Sequence, residues 1–209
     1  MKTPPYSPTY ELTGGHPALD FVNTVGGNRL VEPREHLPRF SDLVAWATDA
    51  HVITPMEAKA LGREALAYPA DAEGALLHAR AFRESLYRVL LALVESRPAL
   101  PADVEALEGE VHRALAARRL ESKAGRFSWT LPGVCLLETV VPRLAVVASE
   151  LLTSEALKRV RVCEATSSDG CGWLFLDETR NHSRRWCSMA TCGNQHKARR
   201  HYARVRARS

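Results

Sequence analysis

No stretch of this sequence stays apolar for long enough to cross a membrane. The most apolar segment, "VCLLETVVPRLAVVASELL", is interrupted by Glu138, Arg143 and Glu150, so it reads as a buried helix and no membrane association is expected. The opening "MKTPPYSPTYEL" has three prolines and no apolar run. No secretory signal is therefore expected, and a reducing, cytoplasmic setting is. Common catalytic motifs are missing too: there is no Gly-rich phosphate loop, no Gly-x-Ser-x-Gly elbow and no His-Glu-x-x-His pair. The chain is not expected to be an enzyme. Internal repeats and long linkers are also absent.

What is present is an ordinary globular balance, 45% hydrophobic and 25% charged over 209 residues, enough for one domain or one domain with a small appendage. The net charge of +4 hides an asymmetry. From Lys158 to Ser209 there are 12 Lys and Arg against 4 Asp and Glu, a net +8, whereas the rest is −4. Such a separation suggests a basic functional module beside a neutral-to-acidic body, with a solvated basic tail as the bland alternative. Five cysteines are present. Cys135 lies in the apolar segment and reads as a core residue, while Cys163, Cys171, Cys187 and Cys192 cluster near the carboxy-terminal end.

The body reads as multihelical. "FSDLVAWATDAHVI" starts a helix with Ser41 as its cap and Leu43, Val44, Trp46 and Ala47 as its face. "TPMEAKALGREALAY" combines Thr54 as cap, Pro55 at the first helical position and Glu57 three after the cap, a capping box. In "DAEGALLHARAFRESLYRVLLALVES", Leu76, Ala79, Phe82, Leu86, Leu90 and Leu93 recur at three- and four-residue intervals. "PADVEALEGEVHRALAARRL" does the same with Val104, Leu107, Val111 and Leu115. "RLESKAGRFSWTL" reads as a hairpin about a Lys-Ala-Gly turn, and "HPALDFVNTVGGN" as a short strand. "GVCLLETVVPRLAVVASELLTS" reads as a central helix kinked at Pro142. The expected fold is mainly α with minor β, a helical body over 1–157 and a finger over 158–209.

In the finger, Cys163 and Cys171 are separated by seven residues, Cys187 and Cys192 by four, and the two pairs by fifteen. Two close pairs joined by a loop suit tetrahedral zinc, each pair turning its sulfurs toward one ion. Four thiols without metal and a disulfide framework are the alternatives. His182, His196 or His201 could replace one cysteine. Four thiolates leave no open coordination position, so one zinc would be structural. "WLFLD" reads as a strand, "RRW" as its partner, and a helix near Asn194 as the closing element. Trp173 and Trp186 are expected in the module's core.

The stretch "WLFLDETRNHSRRWCSMATCGNQHKARRHYAR" resembles the CGNR zinc finger, whose hallmark is Trp-Cys-Ser-Met followed by Cys-Gly-Asn-Arg-x-Lys. "HPALDFVNTV" resembles the opening of the ABATE domain, which precedes this finger in bacterial stress-induced transcriptional regulators. The resemblance implies a treble-clef-like or ribbon-like finger of hairpin and helix, and places Cys163, Cys171, Cys187 and Cys192 on the family's zinc ligands. Gln195 stands where the hallmark arginine is expected, and the Cys163–Cys171 loop is longer than the family usually shows.

The helix after Cys192 carries Lys197, Arg200 and Arg204 on one face, with Arg199 flanking. Arg180, Arg184 and Arg185 add charge before Cys187. These seven residues are the candidate DNA contacts. Ala198, Tyr202 and Val205 recur at helical spacing and suggest packing against the module. His16, Asp20, Asn23 and Thr24 stand together beside Gly26-Gly27. They read either as turn and cap groups or as a pocket for a small-molecule effector. The expectation is a zinc-dependent, DNA-binding transcriptional regulator of the stress response, its body serving ligand sensing or homodimerisation. A protein-interaction module with a purely structural zinc is the alternative. A small-molecule enzyme built on the amino-terminal cluster is the more distant one.

Overall fold

The computed structural model describes residues 10–29, 32–130, 136–165 and 171–206. It is mainly helical, with small antiparallel hairpins. Helix α1 (Pro17–Val22) leads into hairpin β1 (Val25–Asn28) and β2 (Glu32–Glu35). Four helices follow: α2 (Phe40–Asp49), α3 (Pro55–Ala67), α4 (Pro69–Val94) and α5 (Pro101–Ala117). Hairpin β3 (Arg119–Lys123) and β4 (Arg126–Thr130) precedes α6 (Val140–Leu152). The chain then forms β5 (Val160–Val162), β6 (Leu174–Leu176) and α7 (Asn194–Arg206).

Local signals account for most helix starts. Thr54 Oγ1 accepts from Glu57 N at 3.2 Å, Glu57 returns the bond to Thr54 N at 2.7 Å, and Pro55 opens the helix. Two starts differ from the expectation. α2 begins two residues earlier, at Phe40 with Arg39 in the cap position, so Ser41 lies inside it. Asp42, in the first turn, accepts from Arg39 N at 3.0 Å and supplies the missing cap. "HPALDFV" is a helix, not a strand: His16 Nδ1 accepts from Ala18 N at 3.2 Å and Pro17 pre-sets the first turn.

α4 is the spine of the body, packed against α1, α2, α3, α5 and α6. Its buried stripe includes Leu76, Ala79, Phe82, Leu86 and Leu90, while Leu93 stands exposed. Trp46, Phe21 and Leu144 fill the centre. The α5 face is rotated from the expected one. Asp103, Leu107, Glu110 and Ala114 are buried, while Val104 and Leu115 face solvent. The rotation is possible because both carboxylates find partners: Asp103 pairs with Arg88 at 2.6 Å and Glu110 with His78 at 2.7 Å. Pro142 kinks nothing. The helix starts at Val140, so the proline falls in the first turn, where its missing N–H has no intrahelical partner to lose. Cys135 lies outside the described residues.

The Lys-Ala-Gly turn closes β3–β4 as expected, with Ala124 and Gly125 both at positive φ, 51° and 74°. β6 pairs with β5, not with the segment before Cys187, in the register Val160↔Leu176 and Val162↔Leu174. Cys163 N donates to Trp173 O at 2.8 Å and extends this ladder to the first cysteine.

Candidate metal centre and nucleic-acid interface

The β5–β6 hairpin and the start of α7 build the cysteine centre from two sides. Cys163 leaves β5 and Cys171 approaches β6, so hairpin closure brings the first pair together. Cys187 precedes, and Cys192 lies within, a π-helical turn at Met189–Gly193 that runs directly into α7. Ser188 caps this turn, its hydroxyl accepting from Thr191 N at 3.3 Å. Gly193 leaves room for the Met189 side chain, whose Sδ would lie 2.7 Å from a Cβ at that position.

All four sulfurs lie within 4.8 Å of one another. Cys187 Sγ is 3.6 Å from both Cys171 Sγ and Cys192 Sγ. Tetrahedral zinc with Zn–S near 2.3 Å requires sulfurs about 3.8 Å apart, so the donor set fits zinc and is too open for disulfides. Cys187 N donates to Cys163 Sγ at 3.4 Å, a bond that favours a thiolate. Donation from Cys171 and Cys187 lowers the Cys163 pKa. Cys171 and Cys187 are raised, chiefly by their bonds to Cys163, and Cys192 is raised by burial. Four adjacent thiols therefore resist ionising together unless a cation stands among them. Among the described residues no histidine joins the cluster. His182 Nδ1 meets Asp177 O, and His196 tilts onto Trp186 with ring centroids 5.6 Å apart.

The loop before Cys187 is organised by Asp177, which the sequence reading did not single out, and by Arg184, which it read as a DNA contact. Buried Asp177 accepts from Thr179 N and Arg184 N, each at 3.0 Å. Arg184 points inward. Its guanidinium donates to Trp186 O, Leu176 O, Cys187 O and Thr13 O, and stacks on Phe175 at 4.4 Å. Arg185 pairs with Glu164 at 2.5 Å. Both arginines thus have roles inside the protein. Trp173 and Trp186 pack on the cysteine cluster.

The amino-terminal cluster joins the body to this centre. Asn23 acts like a peptide group on the free edge of β6: Nδ2 donates to Leu174 O at 2.8 Å, and Oδ1 accepts from Leu174 N at 2.9 Å. Gly14 O accepts from Leu176 N at 2.8 Å on the same edge. Asp20 accepts from Gly14 N at 2.8 Å, and burial raises its pKa to about 6 despite the Gly14 bond and nearby Arg184. Thr24 donates to Phe21 O and accepts from buried Arg83. His16 caps α1, and burial lowers its pKa. All four polar groups therefore bond within the fold. Two further contacts were invisible in the motifs: Trp173 Nε1 donates to Val25 O at 2.9 Å, and Tyr87 OH donates to Gly172 O at 3.0 Å. Gly172 sits at φ +64°, where a side chain would be strained.

α7 projects from this base. None of its residues is buried, and it meets the module through its first turn. Lys197, Arg200 and Arg204 are exposed on one face, and Arg199 and Gln195 are exposed on another. Ala198, Tyr202 and Val205, expected to pack on the module, are exposed as well. Arg180 is exposed on the preceding loop.

The architecture defines a class: a helical body carrying a four-cysteine finger with a projecting basic helix. Comparison with protein families places it further. The ABATE family, described as "Putative stress-induced transcription regulator", matches residues 15–155, and the CGNR zinc finger matches residues 159–205. The first match covers more than half of the chain, which belongs to the ABATE family and carries a CGNR zinc finger. No curated protein matches it. Among the described residues, no helix is long and apolar enough to cross a membrane.

Proposed function

We propose that this chain is a zinc-dependent, DNA-binding regulator of transcription in the stress response, acting in the cytoplasm and not as an enzyme. One zinc, held by Cys163, Cys171, Cys187 and Cys192, staples the β5–β6 hairpin to the base of α7. Its role is structural, since four thiolates complete the coordination. The carrying observation is α7 itself: exposed along its length, anchored at one end, with Lys197, Arg200 and Arg204 on one face. At about 1.5 Å per residue its 13 residues span some 20 Å, and a helix of this kind fits a B-DNA major groove. Arg180 and Arg199 extend the basic surface. The body serves effector sensing, homodimerisation or both.

The test is a titration of random and selected duplexes by the zinc-loaded full-length chain at several salt concentrations. Each phosphate contact adds roughly −0.9 to the slope of log affinity against log salt. Lys197→Ala, Arg200→Ala and Arg204→Ala should each flatten that slope by about one contact. A residue that reads a guanine edge would instead cost about 1–3 kcal/mol at one base position. Gln195→Arg should steepen the slope if that face meets the backbone. If the zinc-loaded chain binds neither duplex at low salt, the DNA reading fails. A protein-interaction module with a purely structural zinc then takes its place.

A further inference from the structure

The β3–β4 hairpin is the most uncovered element of the body. Its strands are exposed except for half-buried Thr130. The register pairs Leu120 with Trp129 and Ser122 with Phe127. Directly opposed residues share a face, as do residues two apart, so Leu120, Trp129 and Phe127 form one apolar face. They are 55%, 59% and 71% exposed. The Arg118 guanidinium lies 5.7 Å from the centre of the Trp129 ring. Among the described residues this sheet has two strands and hence two free edges. An isolated two-stranded hairpin is marginal in water, and an apolar one with open edges invites further pairing.

We propose that a second copy of this chain pairs with its free edge, β4 lying antiparallel to β4 of that copy about a two-fold axis at Ser128. Charge and register select this edge. Pairing β3 with its own copy would set Glu121 against Glu121 and Arg119 against Lys123 twice, like charges in three of the five pairs. Pairing β4 with its copy sets Phe127 against Trp129 twice, Arg126 against Thr130 twice and Ser128 against itself. No like charges oppose, and four aromatic rings line one face of a four-stranded sheet. Backbone parity agrees. In a two-residue hairpin the residues flanking the turn, Lys123 and Arg126, form a hydrogen-bonded pair. The N–H and C=O groups of Phe127 and Trp129 then point to the outer edge, where each can exchange two bonds with its opposite number. The charged β3 edges end the assembly at two copies, an isologous closure.

Edge pairing sets each Phe127 ring beside the opposing Trp129 ring, so the aromatic side chains bury part of their surface on one another and the β4 backbones satisfy their outer N–H and C=O groups. The interface is small, at the weak end of the range for specific association, so the dimer is reversible. This deepens the dimerisation half of the proposed function. It is tested without DNA, so either reading can fail while the other stands.

The experiment is sedimentation equilibrium of the zinc-loaded full-length chain over a wide concentration range. A reversible monomer–dimer equilibrium is expected, and monomer throughout overturns the proposal. The double variant Phe127→Lys, Trp129→Lys should weaken the dimer at least a hundredfold with unchanged far-ultraviolet circular dichroism, whereas Glu121→Ala should leave it intact. A dimer that survives the double variant overturns the assignment of this face. The second readout is covalent. Ser128 faces its own copy across a non-hydrogen-bonded position, where Cα atoms lie about 4.5 Å apart, within disulfide reach. Mild oxidation of zinc-loaded Ser128→Cys should give a disulfide dimer that the wild-type chain does not form. Absence of that cross-link in a dimeric sample overturns the β4 register.

Discussion

Arg184 shows how much a single residue's role depends on where its side chain lies. By charge alone it belongs with the DNA contacts. In the fold it bonds four backbone carbonyls and stacks on Phe175. Cys187 is its metal-side counterpart, with sulfurs on two sides at 3.6 Å. Cys187→Ser should abolish stoichiometric zinc and disorder the module, as read by metal analysis and tryptophan fluorescence; full zinc retention would refute the four-sulfur site. Asp20 gives a pH signature. Its folded pKa is about 6 against an ordinary 3.8, raised mainly by burial. Because the folded state holds the proton more tightly, this group's contribution is greatest below about pH 4. It is lost as pH rises toward about 6 and stays flat above. Asp20→Asn keeps an acceptor for Gly14 N and should raise stability at pH 7 while removing that slope. Denaturant titrations at pH 4, 5, 6 and 7 measure it, and an unchanged slope would show that another group titrates there.

Among the elements, β6 explains why the finger cannot be understood apart from the body. Its outer edge is covered by the Asn23 amide and by Gly14, and not by another strand. Asn23→Ala would leave Leu174 N and O buried without partners. Each orphan costs about 1–3 kcal/mol, so a loss of roughly 2–6 kcal/mol is expected, a fall of about 4–24 °C in Tm for a chain of this size. Thermal unfolding checks it, and a fall below 2 °C would mean the edge is satisfied otherwise. The β3–β4 turn offers the opposite test. Ala124 occupies a left-handed conformation at φ 51°. Ala124→Gly should therefore stabilise the chain slightly, by about 1 kcal/mol, and higher Tm at equal zinc loading is the readout.

At the scale of the whole molecule, body and finger share one core. Val160, Leu174 and Leu176 from the β5–β6 hairpin belong to the same apolar cluster as Trp46 and Leu144. Tyr87 on α4 and Val25 on β1 hold the Cys171–Trp173 knuckle from the body side. Zinc binding is then linked to the stability of the helical body, because a ligand that binds only the folded state stabilises all that folds with it. Chelation should lower the melting temperature of the body's helical signal, not merely release a loose tail. A helical melting curve unchanged by chelator would show that the two parts fold independently.

The features legible in the sequence are those encoded within a few residues of each other. The Thr54-Pro55-Glu57 helix start, the Lys-Ala-Gly turn, the stripe along α4 and the paired cysteines each express a local rule of backbone bonding, periodicity or ligand spacing. The family resemblance in the finger rests on the same kind of contiguous text. What only the tertiary structure decided depends on partners far away along the chain. Asn23 meets Leu174 across 151 positions and Arg184 meets Thr13 across 171. The buried face of α5 turned toward Asp103 and Glu110 because Arg88 and His78 on α4 were there to receive them. β6 took β5 as its partner because Cys163 N–H meets the Trp173 carbonyl and leads the ladder into the metal centre. A polar side chain looks the same in sequence whether it awaits a ligand or closes a fold. Its role is set by which buried donors and acceptors the packed chain brings within about 3 Å.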